Sequence, residues 1–427
     1  MYLKSLDLCN IGNIVYTKQN LTRGGKIFLA FLLLEYIFPL ILNLLFDIKP
    51  LFRLHIYSLE KFISVLIIIL TCIIAIIVSS YTPSILPKNK NPIKPIPKWL
   101  INIISLTVIL VGLSVFLNDF SQWRYEQSLS ENRLAFFASI FQAITPFLIF
   151  WILMTDHKFI LSRRWSDIIT KGILFLATIF SINGLGAIFV TLISALIFFA
   201  PQSIIDFFYG NSKKTYFIKN NFNKIILLSF LILLFIPISK ISLYTKSGNS
   251  SFESISTNYL DFEYLVNRHS VHLSALSASI EDGPELSYLK IPFETAKWRL
   301  EFVTGTDYFS KKPEIASLNR ISLLQFADFD KINTKGGSSP GLLGGITMIF
   351  SFPTSILLVF LITFFYIKII DFILCRQPPF TWFGAFVFAY IPLRNATDSP
   401  FDLIIPGPVT IILFLLFIFS LRRVRIN

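Results

Sequence analysis

Two kinds of side chain in this sequence have the chemistry for a polar reaction. The first are the histidines His269 and His272, in a polar interval late in the chain. Imidazole changes charge most readily near neutral pH, which suits a general acid or base. A metal would need a third ligand, and Asp261 and Glu263 complete no recognised spacing, so no metal site is expected. His269 falls within an apolar stripe and also reads as a packing residue. His272 falls on a polar face, four residues from Arg268. The second kind are cations: Arg268, Arg299, Arg320, Lys335 and Arg394. A guanidinium is a fork of donors matched to phosphate, although each arginine alone reads first as an ordinary interfacial or ion-paired side chain. Arg394 ends a short segment that carries Pro392 and precedes the run NATDSP. An ionisable group at a helix end beside a bundle cavity is a functional-site candidate. Residues 335–345 (KGGSSPGLLGG) form a glycine-rich entry to an apolar run, where backbone amides can receive an anionic group.

The elements that must position these groups are apolar. The chain has 427 residues, 54% hydrophobic and only 15% charged, against about 25% charged in soluble domains. That composition belongs to an all-α, polytopic membrane protein. A crossing helix needs about 20 mostly apolar residues. Ten stretches approach this: 27–47, 62–81, 99–118, 135–154, 168–182, 185–207, 223–239, 342–371, 380–393 and 403–421. Glu35 is the main ionisable residue within them. The eighth stretch carries Pro353, which predicts a kink or tilt there.

The net charge of +13 follows from loops on one side of the membrane. Lys88, Lys90, Lys94 and Lys98, then Arg163, Arg164 and Lys171, then Arg422, Arg423 and Arg425 fall on alternate loops with the N-terminus inside. This is the bias of inner loops. No basic stripe with stacking aromatics accompanies it, which excludes nucleic acid as a partner. Both termini are then cytoplasmic and the polar interval is external. The Pro-rich segment 88–98 is read as an inner loop and nothing more. The first 26 residues lack the apolar core of a cleavable signal, and none of Cys9, Cys72 and Cys375 lies in the polar interval to staple it.

Three regions result: a transmembrane bundle of about seven spans (1–239), a large external loop with amphipathic helices (240–341), and about three further spans (342–427). Within the loop, apolar side chains recur at alternating steps of four and three over 255–280, one helix face. Asp282-Gly283-Pro284 ends that helix. Stretches 292–305 and 313–328 read as two more helices. All three are expected to lie on the bundle at its interface.

The architecture resembles that of the O-antigen polymerase (Wzy) family over nearly the whole chain. Local similarity is greatest at 336–345 (GGSSPGLLGG), entering a late span, and at 394–402. The sequence departs from the family's pattern at 181–186 (SINGLG), where related chains carry an arginine, so the phosphate load would fall on other cations. The resemblance implies a GT-C-like, metal-independent and cofactor-free glycosyltransferase of the bacterial inner membrane, with the large loop periplasmic. It would transfer a growing glycan from undecaprenyl pyrophosphate to a hydroxyl of another lipid-linked repeat unit. Its partners would be those lipid-linked oligosaccharides, membrane lipid and a chain-length-determining co-polymerase. Arg268, Arg299, Arg320, Lys335 and Arg394 would bind pyrophosphate or sugar. His272, His269 and Arg394 would act in catalysis. The alternatives are a lipid-linked oligosaccharide flippase or transporter, and an O-antigen ligase.

Overall fold

A computed structural model describes residues 21–46, 59–82, 95–117, 151–153, 155–180, 270–291 and 340–374. It also describes single positions and pairs within 144–149, 194–201, 293–297 and 321–322. Among the described residues every regular element is a helix. Three are long and apolar enough to cross a membrane, over Arg23–Leu42, Leu59–Tyr81 and Phe352–Phe372. The predicted spans 223–239, 380–393 and 403–421 lie outside the described residues.

The first crossing helix is built in three parts. Helix α1 (Arg23–Leu32) opens at Thr22, whose Oγ1 accepts the Gly25 N–H at 3.1 Å, satisfying one of the donors a helix start leaves open. A π-helical turn follows over Leu33–Ile37, and the helix resumes as α2 (Phe38–Phe46). The wide turn has a local cause. Pro39 supplies no N–H, and in a regular α-helix its ring would press on the carbonyl of Glu35 one turn back. An inserted residue relieves that crowding, and the Phe38 N–H reaches the Leu33 carbonyl instead.

Helix α3 (Leu59–Tyr81) and the last described helix, α9 (Phe352–Leu374), pack on α1 around Phe28, Phe31, Ile68, Cys72, Val359 and Ile367, all buried. Lipid tails are as apolar as these side chains, so close packing and polar contacts must hold such helices together. One end supplies them. The Gly24 N–H donates to Asp371 Oδ1 at 2.7 Å. Thr22 meets Ser80 through both its N–H and its hydroxyl. Lys368 Nζ donates to the carbonyls of Ser79 and Thr82 at 2.6 Å each. At the opposite end of α3, Lys61 pairs with Glu281.

A second group comprises α4 (Lys98–Leu117), the short α5 (His157–Leu161) and α6 (Trp165–Phe180). Residues 95–97 are non-helical, and Lys98, the last residue of the segment read as a loop, opens α4 and ion-pairs with the buried Asp167 of α6; residues 88–94 lie outside the described residues.

The remaining elements come from the polar interval and its exit. Helix α7 (Val271–Asp282) ends where the sequence predicts, with Gly283 at φ +81°. It does not lie on the bundle as an amphipathic helix. His272 through Ser279 are buried without a break, because serines and alanines on every side let neighbouring backbones close in. Helix α8 (Gly341–Thr347) packs against it, and a Cβ on Gly344 would come within 3.1 Å of the Leu276 nitrogen. The predicted kink at Pro353 is instead a full break upstream. Residues 348–351 leave the helix, and Pro353 falls in the first turn of α9, where a missing N–H costs nothing. Continuing α8 through Pro353 would drive its ring into the carbonyl of Ile349.

Candidate functional site

The site is assembled from the π turn of the first helix and the two helices α7 and α8. The turn brings consecutive residues Glu35 and Tyr36 into the same packed interior, where they are 4% and 0% exposed. A regular α-helix would put them about 100° apart. Opposite them His272, also 4% exposed, sets Nδ1 at 3.0 Å from Glu35 Oε2. The approach has ion-pair distance without hydrogen-bond alignment.

Tyr36 completes the enclosure. Its ring lies 6.2 Å from the imidazole, tilted by 31°, and its hydroxyl accepts the Leu343 N–H at 3.3 Å. Gly341 is the other wall. At φ +70° it holds a conformation that side-chain-bearing residues rarely adopt, and a Cβ there would lie 2.5 Å from Tyr36 Oη and 2.9 Å from His272 Cγ. The glycine-rich run is therefore no open anion cradle over its described part. Gly341 through Thr347 are helical and buried, with the Leu343 amide turned to Tyr36.

The depth of the pair follows from helix rise. From Gly24, beside Asp371, to Glu35 the first helix climbs about 16 Å at 1.5 Å per residue. The apolar helix spans Arg23–Leu42, so Glu35 stands near its middle, and His272 meets it there.

Chemically, a carboxylate beside an imidazole can support the charge that the ring gains when it takes a proton. Among the described residues no group of three His, Cys, Asp or Glu side chains gathers to hold a metal.

His272 is the candidate that the structure describes, and it corrects the reading that produced it. The residue sits on a buried face, not a polar one. His269, Arg268, Arg299, Arg320, Lys335 and Arg394 lie outside the described residues. Sequence reasoning noted Glu35 without a partner and missed Tyr36. The available signal was Pro39, which forces local irregularity next to the one acidic residue of an apolar span.

Compared with family models, with curated proteins and with solved structures, the chain matches none.

Proposed function

We propose that the protein is a membrane-embedded glycosyltransferase that polymerises lipid-linked oligosaccharide repeat units. The observation that supports this reading is the buried Glu35–His272 pair inside an apolar helical bundle. In the proposed reaction a sugar hydroxyl of one repeat unit attacks the anomeric carbon of a glycan carried on undecaprenyl pyrophosphate. The hydroxyl proton passes to His272 Nε2 and the bond from the anomeric carbon to the pyrophosphate oxygen breaks. Glu35 stabilises the resulting imidazolium. Charge grows on the departing diphosphate, and Arg268, Arg299, Arg320, Lys335 and Arg394 are the cations assigned to it. The donor is already activated, so the chemistry calls for no nucleotide. This reading carries with it about ten spans, cytoplasmic termini, a periplasmic 240–341 loop and an inner-membrane location.

The test is in the cell. With His272→Ala or Glu35→Gln present in the membrane at normal abundance, long-chain surface polysaccharide is expected to disappear, leaving single repeat units on the acceptor. Unchanged polymer length with His272→Ala would remove the assignment. Polymer accumulating on the polyprenyl carrier would point to a ligase.

One observation favours a second reading. A carboxylate–imidazole pair near the middle of an apolar helix is also what a proton-coupled transporter carries. Proton-dependent movement of a lipid-linked oligosaccharide in reconstituted vesicles, with no new glycosidic bond, would select that reading.

A further inference from the structure

A separate corner of the molecule carries a surplus of positive charge beside exposed apolar rings. It is formed where the start of α4 meets α5 and the start of α6. Hydrogen bonds cross-link the corner. Lys171 Nζ donates to the carbonyls of Ile160 and Ser162 at 2.7 and 2.9 Å, which ties down the connection between α5 and α6. Lys98 and Lys171 both stand over the buried Phe159 ring, 5.8 and 5.6 Å from its centre. Asp167 takes Lys98, and Asp156 caps the Phe159 N–H at 2.8 Å. The carboxylates of the corner are thus engaged. Lys158, Arg163 and Arg164 remain exposed, with no ion pair among the described residues.

Beside these cations, Trp165 is 81% and Trp99 63% exposed, each at the start of its helix, and Ile169 and Leu161 are also uncovered. Tryptophan and basic side chains together at one helix end form the usual edge between hydrocarbon and head groups. A soluble anion would satisfy the charge and leave the rings in water. A lipid satisfies both.

We propose that this corner binds the anionic head group of a bilayer phospholipid. Lys158, Arg163 and Arg164 meet the phosphate, while Trp99, Trp165 and Ile169 lie along the acyl chains. Each cation near an anionic surface contributes about 1 kcal/mol, or about a fivefold preference.

The experiment uses the full-length protein in phosphatidylcholine vesicles doped with brominated phosphatidylglycerol or, separately, brominated phosphatidylcholine. The signal is the tryptophan quenching that is lost in the Trp99→Phe/Trp165→Phe variant. The expected result is quenching at a several-fold lower mole fraction of the anionic lipid. The preference should fall by about fivefold per charge in Arg163→Gln and Arg164→Gln, and should persist in Arg163→Lys/Arg164→Lys, which keeps the charge. Equal quenching by both lipids overturns the proposal, as does a preference unmoved by the glutamine variants. Loss of the preference on adding millimolar inorganic phosphate at constant ionic strength would assign the corner to a soluble phosphate and also overturn it.

Discussion

Glu35 Oε2 and His272 Nδ1 lie 3.0 Å apart, each on a residue 4% exposed, near the middle of the apolar helix Arg23–Leu42. Two groups so placed depend on each other, since removing one takes a buried counter-group from the other. Glu35→Ala and His272→Ala should each destabilise the protein by about 1–3 kcal/mol. The double variant should cost less than the two together, with a coupling of about 1–2 kcal/mol. Unfolding of the four proteins in detergent, followed by intrinsic fluorescence, measures the cycle. Strict additivity would mean that the two groups do not interact.

Gly341 and Gly283 separate strain from crowding. Both hold positive φ, at +70° and +81°, but a Cβ at Gly283 meets nothing within 4 Å, whereas one at Gly341 meets Tyr36 and His272. Gly283→Ala should cost about 1–3 kcal/mol, the strain of a positive φ paired with ψ 168° alone. Gly341→Ala should cost about 1–3 kcal/mol beyond its own backbone strain, because overpacking is added. It should also abolish whatever activity His272 carries, which an assay of both variants at matched abundance will show.

Lys368 ties α9 to the end of α3 through the Ser79 and Thr82 carbonyls. Lys368→Met keeps the length of the side chain and removes the donors. It should lower stability by about 1–3 kcal/mol, the worth of two charge-assisted hydrogen bonds to part-buried carbonyls. Lys368→Arg should retain most of it. Thermal unfolding in one detergent compares the three.

The Lys98–Asp167 pair predicts a pH dependence. Burial pushes the Asp167 carboxyl up. Hydrogen bonds from Lys98 and Ser162, and the charges of Lys98 and Lys171, outweigh burial and hold it below the ordinary carboxylate range. A carboxyl with a lowered pKa contributes stability that is complete above its unfolded value of about 3.9. That contribution is lost as pH falls through the folded value. Lys98 is 46% exposed, so solvent limits the contribution to about 1 kcal/mol. Asp167→Asn should therefore be less stable than the parent at neutral pH, and the two should converge as the pH is lowered below 3.9. A constant gap across that range would sink the assignment.

Legibility followed the range of the physics. The end of the helix at Tyr81 and the stop at Asp282 rest on hydropathy and on the Gly-Pro pair that follows Asp282, so they could be read locally. The burial of His272 could not. Its own helix carries Ser274, Ser277 and Ser279, which look like a polar surface until neighbouring elements are packed against them. Lys98 and Lys171 count as loop charges in the sequence, and only their contacts with Asp167 and with the carbonyls of Ile160 and Ser162 give them structural roles.

The sequence by itself determined that this is a helical chain with lipid-length apolar runs, because hydrocarbon thickness and backbone hydrogen bonding act on about 20 consecutive residues at a time. It also marked Glu35 and His272 as unusual where they stand. Tertiary structure alone decided that the two face each other, with Tyr36 and Gly341 closing around them. That meeting depends on how far the first helix rises, where its π turn points and how closely α7 and α8 approach. Those quantities come from the packing of segments remote in the chain, and no local pattern encodes them.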